Sequence, residues 1–388
     1  MNLYKLDIRG FLFGSIKILI LLLLFFGFSF TKINVTGSIY LYDLILVILF
    51  VLSLIGVNKI HISSKIFLFI IVGLIFVIFS MISENPLKFV LRQGMVIGYL
   101  LIIFFIYRKI KIWDKELIEF IITTSKLAFY IQVSYLIFLL INGGNVFVGF
   151  NYYSPAVVIL FPVYSARILI YEKNTSLNFL QILFILLIST TIGHSSAFLA
   201  VLATVFCFFI LKITPKQFLM ALIILVVLIA SMYFLLPQFQ DVNANWRLYY
   251  WGVGIKNTLN TTLITGNGFG VPFITDDQVQ EMINIFGGSN DFLSSPDEKY
   301  IKAFHNSFIT IFFHIGIFSF LLIGPYIKGI KRLVFGEKNK ELIFLIVSLL
   351  GMSVWVSFNV ILELPHSSLI FWLVFLLTSN QLKIANEN

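Results

Sequence analysis

The residue types best suited to chemistry lie between Arg247 and Asn306, in one polar stretch of an otherwise apolar chain. Arg247 and Trp251 stand four residues apart, which places them on one face of a helix. His305 and Asn306 come just before a run of apolar residues. Arginine binds phosphate oxygens through its planar guanidinium and stays charged, and histidine titrates near neutral pH. Together these side chains suit a reaction that needs a bound phosphate and a proton acceptor.

Each of these residues also has an ordinary structural interpretation. A histidine at the outer end of a membrane helix often serves as an interfacial polar anchor. An arginine in a loop, such as Arg247, often pairs with a nearby acid such as Asp241 in water. Glu363 lies in a predicted outer turn and could either pair with an essential arginine or support the site.

The composition predicts a lipid environment for the elements that carry these residues. Hydrophobic residues make up 59% of the 388, charged residues only 12%, and the mean hydropathy is +1.00. A soluble domain cannot bury this much apolar surface, so the chain is predicted to be an all-α, polytopic membrane bundle forming one domain over residues 1–388. A transmembrane helix needs about 20 apolar residues, and such runs predict about twelve helices. The runs are 11–30, 38–57, 65–83, 91–107, 118–141, 154–170, 177–192, 196–211, 217–236, 304–327, 341–360 and 365–380.

The distribution of Lys and Arg predicts the orientation of the bundle. Basic residues in short loops stay in the cytoplasm, and most of the 27 fall on one side if both termini are cytoplasmic. The long polar segment 237–303, between predicted helices nine and ten, is then extracytoplasmic. Topology explains the net charge of +9, because the basic residues are spread over several loops instead of forming one patch for nucleic acid.

Cysteine and glycine patterns exclude some other site types. The single Cys207 lies in a predicted helix, which excludes an intrachain disulfide, and no sequence pattern of metal ligands or cofactor binding is present. Gly266, Gly268 and Gly270 are spaced like a nucleotide-binding loop, but they lie on the predicted outer side, where nucleotide is scarce. We therefore predict a tight turn that brings the backbone close to another segment.

Two local helices are predicted around the candidate residues. Residues 245–259 repeat aromatic side chains at helical spacing, which indicates an amphipathic helix lying along the membrane surface. A second helix is predicted to open at His305. Gly316 follows eleven residues later, on nearly the same face at about 100° per residue. Close packing of a neighbour against Gly316 would then hold His305 rigid.

The arrangement resembles that of a known family. The pattern is Arg247-x-x-x-Trp251, then Gly266-x-Gly268-x-Gly270, then His305-Asn306 followed by Gly316. It is similar to that of the O-antigen ligase and O-antigen polymerase superfamily, the membrane enzymes that join lipid-linked glycans outside the cell. The resemblance implies that His305 is the base on the acceptor hydroxyl and that Arg247 binds the donor's pyrophosphate.

The sequence departs from the family pattern at one place. Where the family often has a Ser-Arg pair, this chain reads Gly193-His194-Ser195-Ser196. The sequence therefore does not identify the residue that supplies the second phosphate-binding cation, and Arg92 and His194 are the candidates. Asn306 and Trp251 are predicted to orient or stack on a sugar.

The resemblance implies a polymerase of undecaprenyl-pyrophosphate-linked repeat units of O-antigen or capsule, in the bacterial plasma membrane and without a cofactor. Its partners would be the lipid-linked donor and acceptor, the bilayer, a flippase and a chain-length regulator. A ligase of the finished glycan is the alternative within the family. A flippase or transporter is the alternative from another class, although a long loop ending at a histidine is unusual there. A dolichol-phosphate type transferase is disfavoured, because the first predicted outer loop contains only Lys32 among charged residues.

Overall fold

The computed structural model describes residues 7–36, 39–55, 64–146, 151–173, 175–192, 195–210, 223, 227, 242–286, 295–336 and 339–387. The described chain is nearly all helical, with one short β-hairpin of strands β1 and β2. The strands are β1 Asn34–Thr36 and β2 Ile39–Tyr40. The first helices are α1 Ile8–Thr31, α2 Leu41–Leu54, α3 Ser64–Ile82, α4 Leu87–Ile110, α5 Asp114–Ile141, α6 Pro155–Val158, α7 Phe161–Tyr171, α8 Thr175–Thr190 and α9 Ser195–Ile210. The later helices are α10 Val242–Thr261, α11 Asp276–Phe286, α12 Glu298–Ile301, α13 Ser307–Ile315, α14 Gly324–Phe335, α15 Lys340–Ser357 and α16 Pro365–Glu387.

Most of the apolar runs form helices where the structure describes them, although Ile39–Tyr40 of the run 38–57 form strand β2. Six helical segments among the described residues are long and apolar enough to cross a membrane. They are Ile8–Thr31, Lys65–Ile82, Leu87–Ile141, Ser307–Phe335, Lys340–Ser357 and Pro365–Ala385. These segments indicate a membrane protein. The run 217–236 lies outside the described residues, apart from positions 223 and 227, and the total of twelve spans stays a prediction.

The densest packing joins α7, α9 and α15, and α16 packs in turn on α15 and α4. Gly351 on α15 lets this trio approach closely, because a Cβ there would stand 2.1 Å from Thr204 Oγ1 and 2.7 Å from Pro162 Cβ. Large side chains such as Trp372 and Phe371 of α16 are fully buried nearby. The bundle therefore offers a rigid frame for the turn that connects α15 to α16.

The predicted helix over 304–327 is divided into three pieces, and its start was predicted wrongly. The first piece, α13, begins at Ser307, so His305 precedes the helix. A 3₁₀ segment over Gly316–Ile323 separates α13 from α14. Gly316 ends α13 with a positive φ of 56°, a conformation that favours glycine. His305 and Gly316 therefore do not share a helix face.

The polar segment forms its own small helical core. Helix α10 buries Trp246, Tyr250 and Val253 against Phe273 and Phe304. The predicted helix over 245–259 is confirmed, and Trp246 and Tyr250 pack on other protein side chains. The position of this helix along the membrane surface stays a prediction. The side of the membrane on which residues 237–303 lie stays a prediction.

Candidate functional site

His305 occupies an unusual backbone conformation at the start of α13. Its φ is +50°, and its N–H donates to the Ala303 carbonyl at 2.8 Å. Asn306 follows as the N-cap, its side-chain oxygen accepting from the N–H groups of Phe308 and Ile309 at 3.1 Å each. Histidine and asparagine tolerate a positive φ better than most residues, at some cost in strain. The half-buried imidazole therefore projects from a tight turn rather than from a helix.

Helix α10 brings the residue before the predicted cation into contact with this histidine. The Trp246 and His305 rings pack edge to face, with 5.6 Å between their centroids. Arg247 is the next residue, and its Nη1 donates to the Phe358 carbonyl at 3.3 Å. Partial burial lowers the pKa of Arg247, but a guanidinium remains charged at physiological pH. The predicted base and the predicted phosphate ligand thus lie on neighbouring segments.

Trp251 lies on the same face of α10 as Arg247, as their spacing predicted. Its ring packs on Phe358 at 5.3 Å, and its Nε1 donates to the Phe304 carbonyl at 2.6 Å. The indole is therefore tied both to the turn after α15 and to the residue before His305.

Glu363 lies in the turn between α15 and α16 and contacts the first residue of α13. Its Oε2 accepts from the Ser307 hydroxyl at 2.6 Å. Burial raises the pKa of this carboxyl, and the hydrogen bond from Ser307 partly offsets the effect. Pairing with an arginine was one of the two roles considered for Glu363, and the structure places a serine beside it instead.

The glycine loop 266–270 is a structural connection. All three glycines have positive φ. A Cβ at Gly266 would stand 2.4 Å from the His314 carbonyl carbon. All five backbone N–H groups of the loop already donate within the protein, including Phe269 to Ser80 Oγ at 2.8 Å and Gly270 to Gln93 Oε1 at 2.6 Å. Since those donors are occupied, this loop does not cradle a phosphate, in agreement with the predicted tight turn.

We expect Gly266→Ala to destabilise the protein by at least about 1–3 kcal/mol, because the added Cβ meets backbone in a left-handed conformation. Thermal unfolding in detergent measures the effect. Gly252→Ala is the matched control, since a Cβ at this α10 position meets nothing within 4 Å and alanine favours helix. Equal melting temperatures for Gly266→Ala and the wild type would contradict the packing described.

The structure describes one of the two candidates for the second cation. Arg92 is exposed on α4 and makes no hydrogen bond or ion pair with other described residues. Its neighbour Gln93 instead connects α4 to the glycine loop. His194 lies outside the described residues. The second phosphate ligand therefore stays a prediction.

Sequence reasoning missed Trp246, Ser307, Phe358 and Asn359 as neighbours of the site. Asn359 donates to the Ser196 hydroxyl at 3.0 Å, so the start of α9 also reaches this turn. Among these neighbours, only the helix start at Ser307 had a local sequence signal, because an asparagine such as Asn306 before an apolar run is a typical N-cap. Among the described residues, no three His, Cys, Asp or Glu side chains are grouped closely enough to hold a metal ion.

An apolar groove of about 590 Å³ starts beside the polar cluster. Asn306 and Ser357 line it at one end, and they are the sequence neighbours of His305 and Phe358. The groove continues to Ile323 and Tyr326. The other lining residues are Ile255, Leu259, Phe308, Ile309, Ile311, Phe312, Ser319, Phe320, Leu322 and Ser353. The groove therefore begins at Asn306, the residue after His305, and continues along an apolar surface.

Comparison with known proteins adds no relative. No protein-family model, curated protein or solved structure gives a significant match to this chain. The resemblance to the O-antigen ligase and polymerase superfamily therefore depends on the residues quoted above.

Proposed function

We propose that this chain is a membrane glycosyltransferase that polymerises undecaprenyl-pyrophosphate-linked oligosaccharide repeat units at the outer face of the bacterial plasma membrane, with both termini in the cytoplasm. One observation carries the proposal. Arg247 and Trp251 contact Phe358 in the turn after α15. The His305 ring contacts Trp246, which precedes Arg247, and Asn306, which follows His305, lines an apolar groove. A lipid-linked pyrophosphate needs both a cationic site and an apolar one.

The proposed reaction follows from these side chains. His305 accepts the proton of an acceptor hydroxyl, whose oxygen attacks the anomeric carbon of the donor sugar. The bond between that carbon and the pyrophosphate oxygen breaks, and the pyrophosphate leaves with the electron pair. Arg247 stabilises the charge that develops on the leaving group, with Arg92 or His194 as the candidate second cation. Trp251 and Asn306 would contact the sugars.

The groove supports a lipid-linked donor over a free sugar nucleotide. Sugar nucleotides are cytoplasmic, so a transfer outside the cell must take its sugar from a lipid carrier. Ile255, Leu259 and Phe320 line the groove and are themselves 38%, 51% and 54% exposed, so the groove is open at the protein surface. A polyprenyl chain fits such a surface, because its burial there replaces contact with the bilayer without exposing polar groups.

We expect Ile323→Trp, at the far end of the groove, to raise the KM for a full-length polyprenyl donor about 10-fold, because the larger indole occupies space that the chain would fill. A donor shortened to a few isoprene units should be unaffected, since its chain stops before Ile323. Ile327→Trp is the control, because Ile327 is 62% exposed and does not line the groove. An equal effect on both donors would contradict the assignment of the groove.

Glycan analysis of a strain lacking the protein distinguishes the proposed polymerase from its alternatives. Single repeat units on the final acceptor are expected if the protein elongates the glycan. Long chains retained on the carrier lipid would identify a ligase instead. Repeat units trapped on the cytoplasmic side would identify a flippase and would overturn the transferase proposal.

A further inference from the structure

The turn from Phe358 to Leu364 contains one buried carboxyl, that of Glu363. Glu363 is part-exposed as a residue, but its carboxyl group is enclosed. Oε2 accepts from the Ser307 hydroxyl, and hydrogen bonding by the Thr310 side chain and the Leu362 backbone also lowers the pKa of the carboxyl. Removal of a buried acceptor leaves its donors unpaired, so such a group usually holds its neighbours in place.

Ser307 connects this turn to the segment that carries His305. Its hydroxyl donates to Glu363 and accepts the backbone N–H groups of Ile361 at 3.0 Å and Leu362 at 3.1 Å. Ser307 is the first residue of α13 and lies two residues after His305. One buried hydroxyl therefore fixes the end of the turn to the start of the helix.

The beginning of the same turn is fixed to the cationic side of the cluster. The Phe358 carbonyl accepts from Arg247, and the Phe358 ring packs on Trp251. Asn359 donates to the Trp355 carbonyl and to Ser196, which fixes the turn to α15 and α9. The turn thus spans the space between the segment of His305 and the face of α10 that carries Arg247.

We propose that Glu363 and Ser307 form a positioning pair that sets the placement of His305 relative to Arg247. The inference rests on the proposed function, because it concerns the two groups assigned to that reaction. Neither Glu363 nor Ser307 is assigned a contact with substrate. Reacting groups displaced by about 1 Å can lose about 100-fold in rate, so loss of the pair should lower turnover more than substrate binding.

The kinetic test compares Glu363→Ala with Glu363→Gln. Burial raises the pKa of Glu363 and so favours the neutral acid, which glutamine matches in shape and in accepting the Ser307 hydrogen bond. We expect Glu363→Ala to lower kcat by about 10- to 100-fold with KM within about 2-fold, and Glu363→Gln to keep kcat within about 3-fold. A glutamine variant as inactive as alanine, or an alanine variant changed only in KM, overturns the proposal.

A second test needs no substrate. Hydrogen exchange at the amides of Ile361 and Leu362 should accelerate in Glu363→Ala, and so should exchange at Phe308 and Ile309 on α13. Glu341→Ala, at the other end of α15, is the control and should leave these amides unchanged. Unchanged exchange at α13 in Glu363→Ala overturns the positioning pair. A wild-type protein without transferase activity overturns the proposed function instead. The exchange result then still shows whether Glu363 holds the start of α13 in place.

Discussion

His305→Asn should reduce glycan transfer by about 10²- to 10⁴-fold while leaving the protein folded. Asparagine tolerates the positive φ of 50° at this position, so the turn before α13 is retained. The substitution removes the imidazole that accepts the proton. Transfer of a labelled lipid-linked repeat unit by the purified protein measures the loss, and thermal unfolding checks the fold.

The control for this variant is His61→Asn, at a histidine in a predicted cytoplasmic segment. It should retain wild-type transfer. If His305→Asn kept wild-type activity, a different group would have to accept the proton, and His305 would be an interfacial anchor.

Arg247→Gln should reduce transfer by about 10²- to 10³-fold, the usual effect of removing one group that stabilises a developing negative charge. Glutamine keeps an N–H donor and much of the side chain but removes the positive charge. Arg247→Lys keeps the charge without the planar fork, so it should lose less activity than the glutamine variant. The same transfer assay ranks the three proteins.

Lys256→Gln provides the matched control, because Lys256 is an exposed cation on the same helix, α10. Wild-type activity is expected for it. Full activity in Arg247→Gln would mean that Arg247 serves only to hold the Phe358 carbonyl, and its assignment to the pyrophosphate would be wrong.

The helices could be predicted from the sequence because about 20 apolar residues specify a membrane helix without reference to distant contacts. The shared face of Arg247 and Trp251 could be predicted for a similar reason, since helical spacing is local. The tight glycine turn also followed from local preference, as the positive φ at Gly266 shows.

The features that the sequence did not determine are set by distant contacts. Gly316 ends α13 where the backbone of Leu263 docks on it, and the N–H of Ile317 donates to the Leu263 carbonyl at 3.0 Å. Glu363 meets Ser307 across 56 residues of sequence, and no local pattern marks that pair. The aromatic face of α10 was ambiguous, because a membrane interface and a protein core both accommodate Trp and Tyr.

Reconstitution of the purified protein in vesicles tests the central claim most directly. Undecaprenyl-pyrophosphate-linked repeat units are supplied in the leaflet next to residues 237–303, whose side is established first by labelling of a single introduced cysteine. Longer glycan chains and released undecaprenyl pyrophosphate are the predicted result. Movement of the lipid between leaflets with no new glycosidic bond would contradict it and would identify a transporter.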